Sequence, residues 1–134
     1  MPSPGKSAFD LDENVAAGLA YLPVCLVHLV FSIAILATDK INKLARFHAI
    51  QSLLLFACGI IGYICMFIAI FVVMALAAAT QVSAFVFLIF LIYAVFGLFA
   101  LGLLVALVIS MIKAFQGQIF KLPIIGNMAD KWSS

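Results

Sequence analysis

From Phe47 to Ile112 the chain runs for 66 residues without one Asp, Glu, Lys or Arg. As a single helix that run would measure about 99 Å, over three times the roughly 30 Å hydrocarbon thickness of a bilayer. Apolar runs of this kind are stable in hydrocarbon, where every backbone polar group must be satisfied within the protein. The run must therefore fold back on itself, and its least apolar stretch, Ala79-Thr80-Gln81-Val82-Ser83, is where the turn belongs. This divides it into spans over about 48–79 and 83–112. Within Leu53–Leu76 fourteen residues are Leu, Ile, Phe or Val, worth roughly −4 to −8 kcal/mol of insertion free energy.

A third apolar segment lies upstream, from about Asn14 to Thr38, with Pro23 expected to kink it by removing a backbone hydrogen bond. The expected fold is thus all-α and integral to the membrane, with three transmembrane helices and an interfacial C-terminal segment. Composition agrees: 68% of the 134 residues are hydrophobic and 9% charged, against about a quarter charged in soluble domains. The expected organisation is a mobile acidic tail over 1–13, a three-span domain over 14–118, and a surface segment over 119–134. In that last segment Ile119, Phe120, Leu122, Ile124, Ile125, Met128 and Trp132 interleave with Lys121, Asn127, Asp130 and Lys131. Pro123 and Gly126 break any long helix there, and Trp132 suits headgroup depth.

Orientation follows from the basic residues. Lys40, Lys43 and Arg46 lie between the first two apolar segments, and Lys113, Lys121 and Lys131 follow the last. By the positive-inside rule the 39–47 loop and the C-terminus are cytoplasmic and, with three spans, the N-terminus is outside. The expected location is the inner (cytoplasmic) membrane, crossed several times. A cleavable signal is not expected, because the first residues are net acidic and the apolar run after them is too long. A nucleic-acid partner is excluded by the lack of a basic stripe.

Three groups of residues could carry a function. The first is His48, Gln51 and Ser52, at i, i+3 and i+4 on one face of the second span, with Arg46 just before them. Lys113, Gln116 and Gln118 reach the same side, and Asp39 can join from the loop. Buried together they would form a polar network or a partner site; spread apart they are a solvated rim. The second is a small-residue stripe, Cys58, Gly62, Cys65 and Ala69, spaced to let another helix approach closely. The third is His28, mid-way along the first apolar segment. A hydrogen-bonded structural histidine is one reading of it, and an axial ligand to haem or a pigment is the other. Cys25, Cys58 and Cys65 read as packing residues, with no metal-binding spacing among them.

Catalysis has no motif to stand on: no carboxylate pair lies within the apolar spans, and there is no GxSxG, HExxH or phosphate-binding glycine loop. The residues point to a non-catalytic accessory or scaffold subunit of a larger membrane complex, energy-transducing assemblies among them. Its expected partners are membrane lipids and other membrane subunits or further copies of itself.

Several stretches resemble a known family. Asn14-Val15-Ala16-Ala17-Gly18-Leu19-Ala20-Tyr21-Leu22, then Arg46-Phe47-His48-Ala49-Ile50-Gln51-Ser52, and finally Ala114-Phe115-Gln116-Gly117 with Lys121-Leu122-Pro123-Ile124-Ile125-Gly126 resemble small bacterial and archaeal membrane proteins of unknown function. That family is distantly similar to the twenty-kilodalton membrane component of the chloroplast inner-envelope protein translocon. The resemblance covers residues 14–131 and implies a small helical membrane protein whose shared surface is the polar rim. It supplies no reaction. It does bring in an alternative role in protein translocation or pore formation, although the plastid component has four spans.

Overall fold

The computed structural model describes residues 5–7, 9–22 and 26–134. Among them the chain is all-helical, with α1 (Glu13–Leu19), α2 (Val27–Thr38), α3 (Lys43–Thr80), α4 (Phe85–Phe115) and α5 (Ile125–Ser133). No strand occurs among the described residues, and an isolated bridge pairs Lys6 with Asp12. Two compact units result: Met1–Phe56 with Val105–Ser134, and Ala57–Leu104.

Two helices, α3 and α4, are long and apolar enough to cross a membrane. Their 38 and 31 residues correspond to about 57 and 46 Å, well beyond the hydrocarbon thickness. The break between them falls where the sequence placed it. Gln81 adopts a left-handed backbone at φ 57°, and the end of α3 is closed by its own polar residues. Thr80 Oγ1 donates to the Leu76 carbonyl at 2.7 Å and Gln81 Nε2 to that of Ala78 at 2.7 Å. The bond to Ala78, together with the Gln81 N–H donating to the Ala77 carbonyl at 3.0 Å, satisfies carbonyls that a helix end leaves orphaned.

The expected first span, 14–38, does not form. In its place stand two short helices of 7 and 12 residues, about 10 and 18 Å long, neither able to cross hydrocarbon. α1 stops at Leu19, and Leu26, with φ 60°, stands in the left-handed region immediately before α2. The physical reason is that apolarity reports the solvent a segment prefers, not whether its helix is continuous. Small residues let α1 pack closely instead: Ala16 and Ala20 bury with Ile35, Ala45 and Ala49, flanked by Leu11, Phe31 and Leu36. Gly18 lies against the Phe115 ring, where a Cβ would sit 2.5 Å from Cζ. Pro23, expected to kink this segment, and Cys25 lie outside the described residues.

The C-terminal segment forms a helix that begins between Pro123 and Gly126. Its buried positions, Gly126, Ala129 and Ser133, share one face at helical spacing. Ala129 packs with Phe47 and Ile50 at the start of α3, while Trp132 is about half exposed. Within the Ala57–Leu104 unit, Gly62 of α3 faces the Phe99 ring of α4, closely enough that a Cβ there would collide with Cε1.

Candidate functional site

The polar residues at the start of α3 turn inward and meet Tyr21. His48 and Gln51 are one helical turn apart, and both are fully buried, as is Tyr21. His48 Nε2 lies 3.0 Å from the Gln118 carbonyl oxygen. That oxygen can only accept, so Nε2 carries the proton and Nδ1 is left as an acceptor. The Tyr21 hydroxyl, 2.9 Å from Nδ1, therefore donates to it. The Gln51 amide nitrogen in turn donates to the Tyr21 oxygen at 2.9 Å. A directed chain results, running from Gln51 through Tyr21 and a neutral His48 to the backbone at Gln118.

Gln51 does more. Its Nε2 also lies 3.0 Å from the Phe120 carbonyl and 3.3 Å from Ser110 Oγ of α4. Two amide hydrogens serve three acceptors, and the longer Ser110 contact is the shared one. Gln51 Oε1 accepts from the Leu122 N–H at 3.3 Å. One side chain thus joins the residues after α1, α4 and the loop before α5. Ser52, beside it, donates to the Ala20 carbonyl, which also accepts from Ser32 Oγ at 3.3 Å. That carbonyl sits where α1 has ended, and the two hydroxyls take the place of the lost helical donor.

The remaining candidates lie elsewhere. Arg46 Nη1 donates to the Asp39 carbonyl at 3.0 Å and Nε to that of Ser133 at 3.4 Å. Asp39 Oδ1 accepts from the backbone N–H groups of Ile41 and Asn42, and Oδ2 from the Asn42 side chain at 3.1 Å. Lys113 Nζ donates to Gln118 Oε1 at 3.1 Å. Gln116 is exposed and is not brought into the network. The His28 ring packs edge-on to Phe56 at 5.4 Å, and its shielded Nδ1 has no hydrogen-bond partner. Gly62, Cys65 and Ala69 line an apolar groove with Met66, Leu91 and Phe99. Cys58 and Cys65 are free thiols. Among the described residues no group of three His, Cys, Asp or Glu side chains is placed to hold a metal ion.

Sequence reasoning missed Tyr21 and Ser110 as members of the network. The available signal was their isolation: each carries a hydroxyl in an otherwise apolar stretch, and a buried tyrosine hydroxyl needs a partner. Replacing Tyr21 with Phe strands His48 Nδ1 but leaves Gln51 with Phe120 and Ser110. The expected loss is about 1–2 kcal/mol, read as a lowered unfolding midpoint in mild detergent.

α5 is tied down by charge as well. Asp130 Oδ2 lies 2.8 Å from Lys121 Nζ and Oδ1 3.3 Å from Lys43 Nζ. The hydrogen bond from Lys121, followed by that from Lys43, holds the Asp130 carboxyl below the usual carboxylate range. A carboxyl depressed in the folded state contributes stability above its ordinary pKa and loses it as pH falls through the lowered value. Acidification should therefore loosen α5 slightly in the wild type, and Asp130→Asn should flatten that part of the pH profile of the melting temperature. The effect is small because the pair is exposed.

Two comparisons gave nothing: no family model matches the chain, and no solved structure matches it. A third comparison did find a relative. Over 130 residues, 96% of each chain, the protein is 30% identical to the UPF0132 membrane protein MJ1443 of Methanocaldococcus jannaschii. That coverage takes in both long helices, the buried Tyr21–His48–Gln51 chain and nearly all of the rest, and the chain belongs to the UPF0132 membrane protein family.

Proposed function

We propose that this protein is a non-catalytic accessory or scaffold subunit of a larger assembly in the cytoplasmic membrane. One observation carries the reading. The side chains best suited to chemistry, His48, Gln51, Ser52 and Tyr21, are committed to internal hydrogen bonds, whereas the outward surface of Ala57–Leu104 is apolar. Phe71, Phe87 and Leu98 are 71%, 76% and 72% exposed there. A chain that satisfies its polar groups internally and presents apolar helix faces offers packing surface rather than a reaction site. The basic residues around α3's start and after α4 favour a cytoplasmic position for that end by the positive-inside rule.

The test is the size of the native assembly after gentle detergent extraction from its own membranes, with mass spectrometry of whatever co-migrates. Stoichiometric travel with a larger complex supports the reading; a stable lone chain overturns it. A pore or translocation role, suggested by the translocon resemblance, would need copies arranged about a polar lining. It draws little support from a segment, Ala57–Leu104, that carries no charged residue. A haem- or pigment-binding role has one observation in its favour, the unpartnered Nδ1 of His28. It requires a visible absorption band that disappears in His28→Ala, and a colourless protein purified in native lipids ends it.

A further inference from the structure

The contacts of α1, α2 and the described residues beside them trace a path along α3 and α4 that goes in and comes back. At its start, Asn14 Nδ2 donates at 3.0 Å to the carbonyl of Phe115, the last residue of α4. Further along, Ala20 and Tyr21 meet Ser52, Gln51 and His48. The deepest contact is His28 on Phe56, ten residues beyond Arg46. That is about 15 Å along the helix from the last charge, half the hydrocarbon thickness. α2 then returns: Ile35 packs with Ala45 and Ala49, and Arg46 donates to the carbonyl of Asp39, just past α2. Both ends of the segment lie at the level where α3 begins and α4 ends.

Apolar helices of 10–14 residues are commonly core or re-entrant segments rather than spans, and α2 has 12. Re-entrant backbone is tolerated in a membrane only where protein satisfies its polar groups. Here the Ala20 carbonyl at the end of α1 accepts from Ser32 and Ser52, and Ala20 and Tyr21 are fully buried. The opposite face of α2 has no such cover. Val27, Val30 and Ile33 are exposed, and Phe9 sits beside them in a 370 Å³ groove shared with Leu26, Val27, Val30, Phe31 and Ala34. No Asp, Glu, Lys or Arg interrupts residues 14–38; Asp39 and Lys40 follow at once.

We infer that α1 and α2 are the two arms of a re-entrant helical hairpin that enters and leaves on the side of the C-terminus, and that the outer face of α2 beds against the acyl chains of that leaflet. The occupant is lipid because this outer face is apolar and no Asp, Glu, Lys or Arg interrupts residues 14–38, with charge only at the hairpin's two ends. The N-terminus then lies on the same side as the C-terminus, not across the membrane from it as three spans would require.

Two measurements test this in a background with Cys25, Cys58 and Cys65 replaced by alanine. Asp12→Cys, Ser83→Cys and Ser134→Cys are each labelled with an impermeant maleimide in sealed right-side-out and inverted vesicles. Labelling of Asp12→Cys and Ser134→Cys from one side, with Ser83→Cys from the other, is expected. Asp12→Cys sharing a side with Ser83→Cys overturns the hairpin. Next, a bimane fluorophore on Val30→Cys is reconstituted in phosphatidylcholine brominated along its acyl chains. Quenching several-fold stronger than at the buried Ile35→Cys is expected. Equal, weak quenching at both overturns the lipid assignment and marks a face covered by protein.

Discussion

Gln51→Leu should be among the most damaging single changes in this protein, lowering stability by about 3–5 kcal/mol. Leucine has nearly the same volume, so packing around α3 survives and the loss isolates the amide. Without it the Tyr21 oxygen, Ser110 Oγ and the Phe120 carbonyl lose a donor, and the Leu122 N–H loses its acceptor. Each buried group stranded in this way costs about 1–3 kcal/mol, and the losses are not additive because Tyr21 and Ser110 can reorient. Against the roughly 5–15 kcal/mol that holds typical domains together, such a loss removes a large share. The readout is the amount of protein retained in membranes, together with the unfolding midpoint in mild detergent. Gln51→Glu separates the two halves of the amide: it keeps an acceptor for Leu122 but removes the donor for Tyr21 and Phe120, so it should not rescue. A leucine variant within about 1 kcal/mol of wild type would mean that the network orders the loop without stabilising it.

The two long helices were legible because their signal is cumulative. Dozens of residues without charge leave one solvent, and a single polar stretch at Thr80–Ser83 leaves one place to turn. The first apolar segment failed for the same reason the others succeeded. Hydropathy over 14–38 registers a preference for hydrocarbon but is blind to a break in the helix, and here α1 ends at Leu19 and α2 starts only at Val27. Nothing in the sequence named Ala49 or Phe115 as the neighbours of Ala16, Ala20 and Gly18.

The candidate site was half legible. His48, Gln51 and Ser52 declared themselves by sharing a helical face, a local property that spacing reveals. Their partners did not, because Gln51 reaches Ser110, 59 residues away, and the Phe120 carbonyl, 69 residues away. Four of their six partners are backbone groups, which carry no sequence signature at all. A histidine near a glutamine left a buried network, a partner site and a solvated rim open, and the geometry uses both side chains to close an interior.

The same distinction explains the Lys121-Leu122-Pro123-Ile124-Ile125-Gly126 stretch, whose role is invisible until the chain is folded. Gly126→Val is expected to cost about 3 kcal/mol, at the upper end for overpacking. A Cβ on Gly126 would lie 2.5 Å from the Lys121 Cα and 2.7 Å from its carbonyl carbon. Those are backbone atoms, so no side-chain rotation relieves the clash, and the start of α5 must move away from residues 121–124. That movement would draw the Leu122 N–H off Gln51, Ala129 off Phe47 and Ile50, and Asp130 off Lys121. The variant should therefore behave like a partial Gln51→Leu. Its Leu122 amide should lose protection from hydrogen exchange, while amides within Ala57–Leu104 stay protected. Gly97→Ala is the matched control, since a Cβ there meets nothing within 4 Å, and alanine in a helix interior is favoured by about 1 kcal/mol. If Gly126→Val leaves Leu122 protected, α5 is not what holds the loop against Gln51, and the hydrogen bonds of the loop alone suffice. If protection falls in step with stability, the C-terminal helix is the latch that keeps the buried chain of Gln51, Tyr21 and His48 shut.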